Sequence, residues 1–202
     1  LRARWNANRQ AHWAQHFGQE AERIESLVRY ANILPLHDTR PELEQVRERL
    51  RRLEVEIREA GSLGRAPGNY ALGRAWLALG DASKARTLLE KAWGDGFQTQ
   101  ETSYALGRAL AALYDEALTR AQGIPDRELR EAQIRQAEQR YRGPALERLR
   151  MGRGASLEPG TFQETLLAAI EHRDEEALAK SRETLRQAPW FYEAKRMEAD
   201  IL

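Results

Sequence analysis

The chain has 202 residues, with Lys+Arg 32 against Asp+Glu 31, a formal net charge of +1 and no cysteine. The missing cysteine excludes disulfides, thiolate metal sites and cysteine nucleophiles. The balanced charge supplies no global basic field of the kind that neutralises phosphates, which argues against a nucleic-acid partner.

Ala, Leu, Glu, Arg and Gln dominate, and period-two runs of Val, Ile and Thr do not occur, so the chain reads as all-α. The opening Leu1-Arg2-Ala3-Arg4 already has helical character and lacks an initiator Met, which suggests the interior of a longer protein. The first helix is expected from about Trp5 to Leu34, with Trp13, Phe17, Ile24, Val28 and Ala31 along one stripe. Leu34-Pro35 ends it, because a residue before proline is pushed out of the α region. Pro35-Leu36-His37-Asp38 forms a connector. Thr39 with Glu42 three residues on has the pattern of a capping box. The second helix carries Leu43, Val46, Leu50, Leu53 and Ile57 at alternating steps of three and four, a heptad seam. Two seams joined by a short connector predict a long antiparallel hairpin over 1–60, with a coiled-coil dimer as the alternative.

The Gly- and Pro-rich stretch from Gly61 to Gly68 is expected to break the chain at a subdomain boundary. A helix from about Asn69 to Leu79, a turn at Gly80-Asp81 and a helix from Ala82 to about Trp93 follow, with Asp81 as cap. Further helices are expected over about 102–121, from Asp126 to about Arg142 with a kink at Gly143-Pro144, and on to Arg150. After a loop at Met151–Ser156, Thr161 with Glu164 offers a second capping box. The last helices run from Thr161 to about His172, from Glu175 to Gln187, and from Phe191 to the end.

The strongest sequence signal is internal. Tyr70-Ala71-Leu72-Gly73-Arg74-Ala75 recurs as Tyr104-Ala105-Leu106-Gly107-Arg108-Ala109, 34 residues later. That period belongs to helix–turn–helix repeats of tetratricopeptide type. The first repeat resembles that family at Leu72, Gly73, Trp76, Ala85 and Leu89. It departs at Asn69, where an aromatic is expected, and at Phe97 in place of proline. Glycine inside a helix costs about 1 kcal/mol against alanine, so Gly73 implies close approach of a second helix near Ala85. The second repeat matches at Leu106, Gly107 and Leu110, but Tyr114 and Thr119 replace its turn glycine and small alanine. It reads as decayed or lengthened. Ala177, Ser181 and Pro189 keep the spacing of a third unit, and Pro189-Trp190-Phe191-Tyr192 resembles a closing proline with the start of a following unit. The expected fold is therefore a tetratricopeptide-like solenoid over 61–202, degenerate after about 114, behind the 1–60 hairpin.

The resemblance to the tetratricopeptide family implies a concave groove lined by the first helix of each repeat. Tyr70, Arg74, Leu77 and Ala78 would line it in one repeat, and Tyr104, Arg108, Ala111 and Ala112 in the next. An arginine ladder flanked by tyrosines suits a protein or peptide that is acidic or ends in a free carboxylate, because guanidinium holds a carboxylate in forked geometry. The competing reading pairs both arginines with carboxylates of the chain itself and leaves the tyrosines to packing. His12 and His16 lie one helical turn apart but have no evident third ligand, so no metal is expected. His37-Asp38 reads as a turn, and His172 as a helix end. Trp190-Phe191-Tyr192 reads as core or as an exposed patch. No phosphate loop, nucleophile motif or cofactor signature is present, so no enzymatic role and no cofactor are expected. The Arg-rich stretch from Arg127 to Arg153 is interleaved with Glu128, Glu131, Glu138 and Glu147.

Leu34-Pro35-Leu36-His37-Asp38-Thr39-Arg40-Pro41-Glu42, taken with the Tyr70–Ala75 motif, resembles the repeat region downstream of the kinase domain in bacterial serine/threonine protein kinases, notably of myxobacterial type. The resemblance spans roughly the first 120 residues. It implies the sensor or regulatory region of a membrane-anchored signalling protein, facing the periplasm if the kinase parallel holds and cytoplasmic otherwise. No kinase motif occurs in the chain itself. Arg2, Arg4 and Arg9 would flank the membrane end, where basic residues favour the cytoplasmic side. The alternative function is a structural scaffold or homodimerisation element built on the hairpin.

Overall fold

The computed structural model describes residues 2–33 and 38–202, with side chains from Asn8 onward. The described residues form helices and no strand, so the chain is all-α. They divide into two compact units, Leu1–Thr102 and Ser103–Leu202. The division expected at 60/61 thus falls inside the first unit.

In the first unit, α1 (Arg2–Ile33) runs antiparallel to the opening half of α2 (Arg40–Ala78). His16 meets Glu56 and Glu20 meets Arg49, so the partner number falls as the α1 number rises. Phe17, Ala21, Ile24 and Val28 of α1 pack with Val46, Leu50, Leu53 and Ile57 of α2 in one buried cluster. This is the stripe-on-seam arrangement that the spacing implies. The Leu34–His37 connector lies outside the described residues. At the start of α2, Thr39 makes no side-chain cap bond. The Asp38 carboxylate accepts from the Arg40 amide at 3.1 Å instead, so the cap sits one residue earlier than the Thr39/Glu42 pattern suggests.

The expected open break at 61–68 shrinks to one residue. Gly61 takes φ 65 and ψ −146 and helix resumes at once; that left-handed region is one glycine enters without a Cβ penalty. The reversal folds the second half of α2 back, so a Cβ on Gly68 would lie 2.5 Å from Ile57 Cγ1. Glycine at 68 therefore serves close packing and does not make a loop. Ala71, Leu72 and Ala75 of this second half join the α1 cluster. Gly80, at φ 82, closes the helix with the paired hydrogen bonds of a Schellman turn, Gly80 N to Leu77 O and Asp81 N to Trp76 O. Asp81 then caps α3 (Ala82–Gly94) by accepting from the Lys84 amide at 2.9 Å. Gly73 is where α3 comes closest, as expected: a Cβ there would lie 2.6 Å from Leu89 Cγ and 3.3 Å from the Ala85 carbonyl.

In the second unit, α4 (Gln100–Gln122) is followed by α5 (Arg127–Ala137), a π-helical turn at Glu138–Arg142 and α6 (Gly143–Met151). Asp126 caps α5 through the Leu129 amide. The π turn is the form the expected Gly143-Pro144 kink takes. Pro144 has no N–H and its ring crowds the preceding turn; the wider turn, with the Gly143 N–H reaching back five residues to Glu138 O, relieves that crowding. Gly107 repeats the role of Gly73, since a Cβ there would lie 2.8 Å from both Leu149 Cγ and Leu149 N. From Gly73 to Leu89 is 16 residues, whereas from Gly107 to Leu149 is 42. The stretch of chain that returns to the glycine is therefore much longer in the second unit. Ala145 and Leu149, both fully buried, correspond to Ala85 and Leu89. Thr119, expected at the small-residue position, is exposed. 

Helices α7 (Phe162–Ile170), α8 (Asp174–Gln187) and α9 (Tyr192–Ile201) complete the unit. Ala177 and Ser181 are fully buried, and Phe191 packs edge-on to Phe162 at 4.9 Å. The turn into α8 reuses the Schellman bonds, His172 N to Ala169 O and Arg173 N to Ala168 O, with His172 at φ 59 where Gly80 stands in the first unit. Thr161 is not a side-chain cap for α7; its hydroxyl donates to the Lys180 carbonyl at 3.0 Å.

Candidate functional site

The two Tyr–Arg motifs lie one in each unit. In both, Tyr and Arg are four residues apart and so share one helix face. In the first unit, Arg74 is 6% exposed. Its Nε donates to Glu25 Oε1 at 2.8 Å and its Nη2 to Glu25 Oε2 at 2.6 Å, a forked pair with a carboxylate of α1. Arg74 Nη1 also lies 3.4 Å from the Tyr70 hydroxyl, and the guanidinium carbon is 5.5 Å from the Tyr70 ring centre. Burial works against the Arg74 charge, but the negative field of Glu25 and the Tyr70 contact outweigh it and raise its pKa. Burial, only partly offset by Arg74, pushes the Tyr70 phenol up to about 12.

In the second unit, Tyr104 is 1% exposed. Its hydroxyl donates to Glu158 Oε2, and Arg108 pairs with Glu158 Oε1. The Glu158 side chain is 4% exposed, against 28% for Arg108. Burial, reinforced by the neighbouring carboxylate, raises the Tyr104 phenol well above its usual range. Glu158 stands in the segment between α6 and α7. The start of that segment abuts α4, since a Cβ on Gly152 would lie 2.6 Å from the Tyr104 amide nitrogen. In the first unit the Arg74 guanidinium lies between Glu25 and the Tyr70 hydroxyl, whereas in the second the Glu158 carboxylate lies between Tyr104 and Arg108. Leu77, Ala78, Ala111 and Ala112 are half-buried nearby on the same helices.

The reading that pairs both arginines internally therefore describes the geometry, and neither arginine stands in an unfilled groove. The sequence motif located Tyr70, Arg74, Tyr104 and Arg108 but missed Glu25 and Glu158. Glu25 carried a signal: it follows Ile24 directly, at the edge of the apolar stripe, where a carboxylate meets the partner helix. Glu158 carried none, because nothing local in Leu157-Glu158-Pro159 says which helix it reaches.

The remaining candidates fall into structural roles. His16 Nε2 lies 2.6 Å from Glu56 Oε2, and His12 packs on Trp13. Among the described residues, no group of three His, Cys, Asp or Glu could hold a metal ion. His37 lies outside the described residues. Phe191 is core while Trp190 is 51% exposed. In the Arg127–Arg153 stretch, Arg127 and Arg135 pair with Glu131, and Arg150 with Glu171. A cleft of about 270 Å³ between α4 and α5 is lined by Ala117, Ala121 and Ile124 with Gln133, Arg140 and Tyr141 among its polar groups. What the Tyr–Arg arrangement can do chemically is hold a carboxylate. No described helix is long and apolar enough to cross a membrane. Comparison with family models, with curated proteins and with solved structures finds no match.

Proposed function

We propose that this chain is a non-catalytic, tetratricopeptide-like protein-interaction module that recognises an acidic protein or peptide segment through its Tyr104–Arg108 face. The observation that carries this is that both copies of the motif hold a carboxylate through their arginine. The motif recurs at 34 residues, and each copy grips a glutamate carboxylate from a distant part of the chain. The lengthened second repeat supports the family resemblance, because Gly73 against Leu89 and Gly107 against Leu149 are the same helix–helix contact. On the sequence resemblance we place the module in the regulatory region of a bacterial serine/threonine kinase, as a signalling element without phosphotransfer activity of its own.

One observation favours the scaffold reading. Arg74 and Glu25 form a buried pair that fixes α1 on α2, which suits a rigid hairpin with a purely structural task. Light scattering of the chain, followed by titration with a glutamate-rich peptide and a lysine-rich control, separates the two. The interaction module gives a monomer that takes the acidic peptide and loses it in Arg108→Glu. A tight dimer through residues 1–60 that ignores both peptides would replace it with the scaffold.

A further inference from the structure

The two glutamates are held by different kinds of structure. Glu25 belongs to a 32-residue helix whose neighbouring side chains Ala21, Ile24 and Val28 are core. Glu158 belongs to a loop that reverses on either side of it, at Gly154 with φ 93 and Gly160 with φ 61. Between those glycines, Ser156 is exposed and Ala155, Leu157 and Pro159 are only half-buried. The Glu158 carboxylate is the deeply buried group of that stretch, 4% exposed, seated on Tyr104 and Arg108. A short loop of turns and bends thus delivers one carboxylate, from outside any helix, to a phenol–guanidinium pair on α4, the contact a glutamate of a partner would make, here supplied in cis.

We propose that the Tyr104–Arg108 pair is a binding site for a glutamate-bearing segment of a partner protein, and that Leu157-Glu158-Pro159 is its built-in occupant, displaced when the partner binds. This rests on the acidic-segment reading above and adds its regulation. The loop lowers the apparent affinity by the fraction of molecules in which it is seated. Release of the loop exposes Arg108 and the Tyr104 hydroxyl together, so the carboxylate that enters inherits both partners. The Glu25 site has no such release, because freeing Glu25 would pull α1 from the core.

The probe is a fluorescein-labelled peptide of residues 153–163, with its Glu→Gln analogue as control, titrated into the whole chain. Glu158→Gln is expected to bind the glutamate peptide at least about tenfold more tightly than wild type, and Arg108→Ala in that background to reverse the gain. Because a substitution here could loosen the loop without opening a site, hydrogen exchange on the wild type is the second readout. Saturating peptide should speed exchange over 153–160 and slow it around Tyr104–Arg108. Equal, Arg108-dependent binding by wild type and Glu158→Gln would overturn the built-in occupant while leaving the acidic-segment reading intact. No binding to either protein, or binding indifferent to Arg108, would overturn both.

Discussion

The two units solve one packing problem with unequal lengths of chain. In the first, Gly73 lets α3 approach within a 16-residue return, and the Tyr70–Arg74 face is covered by a long helix. In the second, Gly107 makes the same contact with Leu149, but only after α4 and the α5–α6 rod have been extended, and the Tyr104–Arg108 face is covered by a loop. Both faces end with a tyrosine hydroxyl, a guanidinium and one carboxylate. What differs is the cost of lifting the cover. Moving Glu25 moves Phe17, Ile24 and Val28, all buried. Moving Glu158 moves a few half-exposed residues between two glycines. A motif repeated in sequence can thus be a fixed strut in one place and a releasable contact in another, and the holder of the carboxylate decides which.

The largest expected contrast comes from removing each carboxylate. Glu25→Gln leaves Arg74 buried without its counter-charge and should lower unfolding stability by about 3 kcal/mol. Glu158→Gln should cost about 1 kcal/mol, since Arg108 is already partly in water and the loop can relax. Denaturant titration of each variant reads both numbers, and similar losses at the two sites would break the comparison. Next come the paired glycines. Gly107→Ala should cost about 2 kcal/mol, because the new Cβ would meet the Leu149 backbone nitrogen as well as its side chain. Gly73→Ala should cost about 1 kcal/mol, as the closest atom belongs to the movable Leu89 side chain and alanine regains helix propensity. The ranking is read from the same titrations.

One further effect is confined to high pH. A buried phenol with a raised pKa contributes stability that is complete below its unfolded value and lost as pH rises through its folded value. For Tyr70 that window runs from about 10 to about 12, and the loss across it is roughly 3 kcal/mol. Tyr70→Phe should remove this part of the alkaline destabilisation, as followed by urea midpoints across the window. A profile unchanged by the substitution would place the titration elsewhere.

Much of this arrangement was legible in the sequence, and the gaps have physical causes. The heptad seam from Val46 to Ile57 and the caps at Asp81 and Asp126 are local signals, and each appears where its spacing puts it. The tetratricopeptide pattern around Leu72-Gly73 located the glycine contact at Gly73. It could not reveal that Leu149 answers Gly107, because that pairing is set by how far two helices extend before they return. Gly61–Gly68 misled for a different reason: glycine marks a turn at 61 and close packing at 68, and composition alone does not separate these uses. The capping patterns at Thr39 and Thr161 failed where a neighbouring Asp38, or a carbonyl on another helix, competed better for the bond. A tertiary partner such as Glu158 is beyond what a local reading reaches.

Single substitutions mix the worth of a pair with the discomfort of the partner left behind, so the most direct measurement is a double-mutant cycle at each site. Unfolding free energies are needed for wild type, Arg74→Met, Glu25→Gln and their double, and for Arg108→Met, Glu158→Gln and their double. A fixed strut in the first unit and a releasable contact in the second predict coupling of about 3 kcal/mol at Arg74–Glu25 and below about 1 kcal/mol at Arg108–Glu158. Equal couplings, or a stronger one at Arg108–Glu158, would contradict it.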